Sequence, residues 1–182
     1  MTILSAQSIR ELCKQTQAQD QALQDQTDDP LISPFHLKLM RNGLSYGLSS
    51  ASYDVCINQT LWLWPFYGRL ASTMERFHLP NNICGEVKDK STNARRFVLV
   101  QNTLIDPGWE GWLTLELTRF LPWPIRIKRG TPIAQIKFEW LDDETEIPYN
   151  GKYQNQAQEP QKAQIGTGSG YDAGLGTSSN DH

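Results

Sequence analysis

Cysteine and histidine are scarce in this chain of 182 residues. The odd number of cysteines and the lack of a Cys-x-x-Cys spacing argue against a disulfide framework and against a structural zinc site. No HxE, HExxH or Cys/His cluster occurs, so a catalytic zinc site would have few ligands. We therefore expect reduced, partly buried thiols and a chemistry without zinc. The residues concerned are Cys13, Cys56, Cys84, His36, His78 and His182.

Long apolar runs and an excess of positive charge are also missing. No uninterrupted apolar stretch reaches the length needed to cross a bilayer, and the N-terminus lacks a signal-peptide pattern. We therefore expect a cytoplasmic protein that does not bind membranes. The formal net charge is −3, which provides no overall basic field, so we expect no binding of nucleic acid. A small anion needs only a local cluster of cations and stays possible as a ligand.

The distribution of apolar residues predicts one compact, all-β domain. A short N-terminal helix is predicted from Leu4 to Gln15, with Ser8 and Glu11 as a capping box. Short strand candidates follow at 61–64, 97–100, 112–117, 125–127 and 133–140, separated by turns rich in Pro and Gly. Many short strands at such spacing indicate a β-sandwich or barrel. Residues 151–182 are rich in Gln, Gly and Ser, which is typical either of a disordered tail or of an arm that orders on a ligand or neighbouring subunit.

The most informative motif is IDPGWEGWLTLEL at residues 105–117. The two-residue period of a strand places the leucines at 113, 115 and 117 on one face, and Trp112, Thr114 and Glu116 on the other. From this pattern alone, Glu116 would most simply point to solvent from a half-buried sheet. Asp106 would likewise be an ordinary turn residue before Pro-Gly.

Five pieces of the chain, in order, resemble the dCTP deaminase family of the dCTP deaminase and dUTPase superfamily. They are ILS with IREL at 3–12, SASYDV at 50–55, STMERFHLP at 72–80, the motif at 105–117, and Gly130 with IAQI at 133–136 followed by PYNGKYQNQ at 148–156. Their order is far more specific than any single piece. The resemblance implies a distorted, dUTPase-like β-barrel or jelly roll, with a domain at residues 1–160 and a flexible Gly/Ser-rich tail at 161–182. It also implies a homotrimer with shared active sites.

The resemblance assigns four catalytic residues. Glu116 matches the general base of deamination, which takes a proton from the attacking water and passes it towards N3 of cytosine and the departing ammonia. A partly desolvated carboxylate with a raised pKa would suit that task. Ser91 would hold the water or the base, and Arg95 would stabilise charge beside it. Asp106 would lie near the deoxyribose in a deaminase, or orient the attacking water in a dUTPase.

The resemblance also implies contacts to a nucleotide, dCTP or dUTP, that carries Mg²⁺ on its triphosphate, with dTTP as an inhibitor. A triphosphate needs several cations, and the densest cationic run in the chain is at residues 88–96. The predicted substrate-binding residues are Lys90, Thr92, Gln135, Tyr149, Lys152 and Gln156.

Two departures from the family pattern keep alternative functions open. Lys90 replaces the usual arginine and offers a point charge instead of a planar fork. The segment from Ala94 to Ile105 is about two residues shorter than in typical deaminases, and Arg96-Phe97 replaces the usual Leu-Gly. The main hypothesis is a dCTP deaminase that produces dUTP and ammonia. A dUTPase or bifunctional deaminase-dUTPase that yields dUMP and pyrophosphate is the first alternative, and a nucleotide-binding regulator without catalysis is the second.

Overall fold

The structure is a computed structural model that describes residues 2–18 and 29–165. In these residues the chain forms two helices, α1 (Ala6–Ala18) and α2 (Ser91–Ala94), and thirteen strands. The strands are β1 (Thr2–Ile3), β2 (Ile32–Ser33), β3 (Leu39–Arg41), β4 (Leu44–Leu48), β5 (Tyr53–Cys56), β6 (Leu61–Leu63), β7 (Arg69–His78), β8 (Ile83–Asp89), β9 (Val98–Val100), β10 (Leu104–Ile105), β11 (Glu110–Arg119), β12 (Ile125–Ile127) and β13 (Pro132–Trp140).

The described strands form two main antiparallel sheets and a small ribbon. The larger sheet has the order β10-β8-β13-β5-β4-β3, with β1 added to β13, and the second sheet has the order β2-β7-β11-β9. Strands β12 and β6 pair as a separate ribbon. The predicted all-β class is therefore confirmed, and the arrangement is similar to a jelly roll, since these strands lie in separate sheets and do not close into one barrel.

The hydrophobic core lies between the two main sheets. Phe77 on β7 and Phe138 on β13 are fully buried, and their ring centroids are 6.3 Å apart, which joins one sheet to the other. Strand β11 alternates strictly between buried and half-buried residues along its ten positions. Its leucines at 113, 115 and 117 belong to the core, as the period of two predicts. Burial of each such side chain contributes about 1.5–3 kcal/mol.

Several element boundaries differ from the sequence prediction. The helix begins at Ala6, and its first turn is capped by Ser5 instead of Ser8, because the Ser8 N–H donates to Ser5 Oγ at 3.3 Å. Strand β12 coincides with its predicted range, whereas β11 extends beyond its predicted range at both ends. The helical turn α2 lies in a segment for which no helix was predicted. None of the helices in the described part of the chain is long and apolar enough to span a bilayer.

The described part of the Gln-rich C-terminal segment packs against β11. The Trp112 N–H donates to the Gln156 carbonyl oxygen at 3.1 Å, and the Asn155 N–H donates to that of Glu110 at 3.0 Å. The backbones approach so closely at Gly111 that a Cβ there would lie 2.7 Å from Gln156 N. The Gln161 N–H also donates to Thr114 Oγ1 at 3.0 Å. The segment up to Gln161 therefore contacts β11 of the same chain, and residues 166–182 of the predicted tail lie outside the described residues.

Candidate active site

The Glu116 carboxyl group is partly withdrawn from water on the half-buried face of β11. Its Oε2 atom is buried and has no hydrogen-bond partner among the described residues. Desolvation by burial raises the pKa of Glu116, and a backbone hydrogen bond opposes this with a smaller effect. A carboxylate that is poorly solvated and unpaired is a better proton acceptor than an exposed one. These properties are the ones expected of a proton shuttle.

Gln101, which lies beside Glu116, and Arg119, on the buried face of the same strand, had no place in the sequence prediction. The Gln101 N–H donates to the Glu116 carbonyl oxygen at 3.0 Å, so Gln101 is its lateral neighbour at the edge of β9. Arg119 is buried at the end of β11, and its guanidinium donates to the carbonyl oxygens of Trp123 and Arg96, each at 2.9 Å. Arg119 therefore ties the turn after α2 to the strand of Glu116. The Gln101–Glu116 and Arg119–Arg96 contacts join separate segments of the chain, so no local sequence pattern indicates them.

The structure brings Ser91, Thr92 and Arg95 together at the single turn of α2. The side chains are exposed, and Arg95 Nη1 donates to the Ser91 carbonyl oxygen at 3.2 Å. The turn is anchored from below by Asn93, which is 2% exposed. Its Nδ2 donates to the carbonyl oxygens of Pro132 at 2.9 Å and of Ile133 at 3.2 Å. Asn93 is a supporting residue that sequence reasoning missed.

Lys90 is directed into the protein and not towards the solvent. Its Nζ lies 2.5 Å from Asp54 Oδ2 and donates to Ser45 Oγ at 3.2 Å, and its side chain is 5% exposed. The buried ion pair fixes the start of α2 against β5. Gln135 lies beside it, because it pairs in register with Asp54 on one side and with Lys88 on the other. A direct contact of Lys90 with a phosphate stays a prediction.

Asp106 and Tyr149 lie in a different place, at a cleft of about 630 Å³ that both line. The Tyr149 N–H donates to the Pro107 carbonyl oxygen at 2.8 Å, which attaches the C-terminal segment to the Asp-Pro-Gly turn. Gly108 makes this possible, because its φ is +78° and a Cβ would lie 2.9 Å from Pro148 Cβ. Across the cleft, Lys137 forms ion pairs with Glu86 at 2.9 Å and Glu139 at 2.6 Å.

The two remaining predicted binding residues are not gathered with the others. Lys152 is exposed, with its Nζ donating to the Gln164 carbonyl oxygen and lying 5.2 Å from the centre of the Tyr153 ring. Gln156 is 7% exposed and lies beside Gly111. The predicted residues thus occupy separate places in one chain. Gln156 pairs with Gly111, and the five residues of strand from Gly111 to Glu116 correspond to about 17 Å.

The three cysteines are free thiols. Burial raises the pKa of both Cys13 and Cys56 to about 12, so these thiols stay protonated at neutral pH. Within residues 2–18 and 29–165, no group of three or more His, Cys, Asp or Glu side chains is arranged to hold a metal ion.

Comparisons with known proteins place this architecture in a family. A family model described as dCTP deaminase-like matches residues 54–141. The dCTP deaminase of Acidobacterium capsulatum is 30% identical over 170 residues, which cover 75% of this chain and 93% of that protein. The dCTP deaminase of Gemmatimonas aurantiaca is 30% identical over 159 residues, covering 69% of this chain and 86% of that protein.

Solved structures show the same fold at lower sequence identity. The dCTP deaminase of Agrobacterium tumefaciens superposes with a TM-score of 0.56 at 18% identity, over 76% of this chain and 48% of that one. The native EIAV dUTPase gives a TM-score of 0.50 at 20% identity, over 66% of this chain and 96% of that one. The chain therefore belongs to the dCTP deaminase family.

Proposed function

We propose that this protein is a hydrolase that converts dCTP and water into dUTP and ammonia, without a catalytic zinc ion. The observation that carries the proposal is the Glu116 carboxyl group, half-buried, with one oxygen that has no hydrogen-bond partner in the described structure. A raised pKa favours a group that must both accept and return a proton within one catalytic cycle. Membership of the family supplies the substrate class.

In the proposed reaction, Glu116 moves two protons. It takes the first from the water whose oxygen attacks C4 of cytosine, and gives it to N3. It takes the second from the new C4 hydroxyl group and gives it to the amino nitrogen, so that the C4–N4 bond breaks and ammonia leaves. The C4 carbonyl and the N3–H of uracil remain, which balances the reaction. Each transfer requires Glu116 to be in hydrogen-bond reach of the bound base.

The residues of α2 would bind and orient the substrate. Ser91 offers a hydroxyl group to the water or the base, and the guanidinium of Arg95 stabilises negative charge that develops at the oxygen on C4. The triphosphate would carry its own Mg²⁺, which would neutralise part of the phosphate charge. Gln135 pairs in register with Asp54, and Thr92 follows Lys90 in the first turn of α2. Both would contact the phosphates, with Lys90 holding the start of α2 in place.

We further propose that the complete site is shared between subunits of a homotrimer. Glu116, the α2 residues and the Asp106–Tyr149 cleft occupy separate places in one protomer, whereas a single nucleotide must contact all of them. Closed symmetric assembly joins such separate parts by placing the surface of one subunit against a different surface of the next. In this arrangement Tyr149, Lys152 and Gln156 would close over the nucleotide, and dTTP would inhibit by occupying the same pocket.

Product analysis tests the proposed reaction directly. Purified protein is incubated with Mg²⁺ and either dCTP or dUTP, the nucleotides are separated by ion-exchange chromatography, and ammonia is measured separately. We expect one dUTP and one ammonia for each dCTP consumed. Failure to convert dCTP, with a folded protein and Mg²⁺ present, would contradict the deaminase assignment.

Hydrolysis of dUTP is the second candidate function, and the position of Asp106 favours it. Its side chain is half-exposed at the rim of the cleft of about 630 Å³, where it could orient a water molecule towards the α-phosphorus of a bound nucleotide. The same assay distinguishes the two reactions. Accumulation of dUMP and pyrophosphate from dUTP, abolished by Asp106→Ala, would establish the dUTPase activity, alone or coupled to deamination. Binding of dCTP without turnover would indicate a regulator.

A further inference from the structure

A second cleft, of about 350 Å³, lies beside the C-terminal end of α2. It is formed by the turn between β3 and β4, the turn after α2, and the end of β12 with the residues that follow. None of the predicted catalytic or substrate-binding residues lines it. The side chains that matter for its chemistry are Arg96, Arg126, Lys128, Asn42 and Asn93.

All the charged residues that line this cleft are cationic. Arg96, Arg126 and Lys128 face it without any Asp or Glu among the lining residues. None of the three forms an ion pair among the described residues. The sequence has no acidic residue in the stretches 90–105 and 117–138, although acidic residues outnumber basic ones in the whole chain. Like charges that converge in one concavity repel each other unless an anion lies between them.

The backbone under these cations is held in place by side-chain hydrogen bonds. The Arg96 carbonyl oxygen accepts from the buried Arg119 guanidinium at 2.9 Å. Asn42 Nδ2 donates to Thr131 Oγ1 at 3.3 Å, which closes the cleft on one side. Arg129, next to Lys128, is engaged elsewhere through a bond of 3.0 Å to Asn58 Oδ1. The charged groups of the cleft are therefore carried by a fixed frame.

We propose that this cleft binds a diphosphate or triphosphate group at a site separate from the deamination site. Guanidinium groups bind phosphate oxygens through paired, charge-assisted hydrogen bonds, and an ammonium adds a point charge. A volume of about 350 Å³ is at the small end of ligand pockets, and accepts a pyrophosphate or the phosphate chain of a nucleotide with part of its sugar. Arg96 follows α2 directly, so the bound anion restrains the turn that carries Ser91 and Arg95 and couples the two sites.

Isothermal titration calorimetry with sodium pyrophosphate and with ATP tests this site in the full-length protein. The test variant is Arg126→Gln/Lys128→Gln. The matched control is Lys14→Gln/Lys38→Gln, which removes two exposed cations outside the cleft. Circular dichroism verifies that both variants are folded. We expect at least about a tenfold weaker affinity in the test variant and an affinity within about threefold of wild type in the control.

The two probes separate the sources of the phosphate group. Tighter binding of ATP than of pyrophosphate would assign the cleft to a nucleotide, and the reverse would assign it to free pyrophosphate. Equal affinities in the wild type and the Arg126→Gln/Lys128→Gln variant would overturn the proposal, because the anion would then bind elsewhere, at the deamination site included. The absence of measurable binding to the wild-type protein at millimolar pyrophosphate and ATP would overturn it as well.

Discussion

Replacement of Glu116 by Gln separates the catalytic role of this residue from its contribution to stability. Glutamine keeps the size and the hydrogen-bonding capacity of the side chain but cannot accept a proton from water. Loss of general acid–base catalysis lowers turnover by about 10²- to 10⁴-fold, which corresponds to about 3–5 kcal/mol in the activation free energy. We therefore expect kcat for dCTP to fall by this factor, while KM changes little.

The effect of Glu116→Gln on stability should have the opposite sign. Burial raises the pKa of Glu116 in the folded state, so the native protein binds a proton more readily than the unfolded chain. Such a group stabilises the fold fully below its unfolded pKa, and this contribution is lost as pH rises through the folded pKa. As pH rises above the unfolded pKa, the cost of burying the ionised carboxyl group opposes folding, and the neutral amide removes that penalty. The variant should have an equal or higher melting temperature at pH 7.5.

Glu110→Gln is the matched control, because Glu110 lies on the same face of β11. It forms an ion pair with Arg76 at 3.1 Å, with side chains 24% and 29% exposed. Loss of a partly exposed pair costs less than about 1 kcal/mol, which lowers the melting temperature by at most about 2–4 °C. We expect unchanged turnover in this variant. If Glu116→Gln retained turnover within about threefold of wild type, the proton-shuttle role would be wrong. A lower melting temperature at pH 7.5 would refute the stability argument.

Three further predictions concern buried charge and the shared site. The pKa of Glu75 is raised from 4.5 to about 7 by burial, so wild-type stability should fall by roughly 3 kcal/mol between pH 4.5 and 7. Urea denaturation at several pH values should show a flatter profile for Glu75→Gln, and identical profiles would contradict this reasoning. Lys90→Met leaves the Asp54 carboxylate buried without its partner and should lower the free energy of unfolding by about 3–5 kcal/mol. The double variant with Asp54→Asn, measured by the same denaturation, should recover most of that loss. No recovery would refute the pairing. If Glu116 and Arg95 come from different subunits, mixed trimers of Glu116→Gln and Arg95→Ala should regain about a quarter of wild-type turnover, whereas no recovery would place both residues in the same subunit.

Much of the fold could be predicted because it follows from local patterns. The alternation of leucines along β11 requires only that one face of a strand be buried, so the face of Glu116 could be assigned from the sequence. The Pro and Gly turns marked the limits of β12 for the same local reason. Helix α2 could not be predicted, because a single turn of four residues has no periodicity. Its anchor is Asn93, whose bonds reach Pro132 and Ile133.

In the candidate site, as in the fold, some features follow from the local sequence and others depend on contacts between distant segments of the chain. The residue types and their order identified the family, and they were sufficient to single out Glu116, Ser91 and Arg95. The sequence could not show that Lys90 is buried against Asp54, because that pairing depends on how β5 and the start of α2 meet in the folded chain. The sequence also could not show that Arg96 lines a different cleft from the cationic residues that neighbour it in the chain.

The sequence by itself determined the all-β class, the family and the strand face on which Glu116 lies, because these depend on residue identity and on periodicity within short segments. Only the tertiary structure decided how each charged group is solvated and paired. In the folded protein Glu116 is partly buried, Lys90 forms an ion pair with Asp54, and Arg96, Arg126 and Lys128 line one cleft. Solvation and pairing are set by the packing of strands that are far apart in the chain, which no local pattern records.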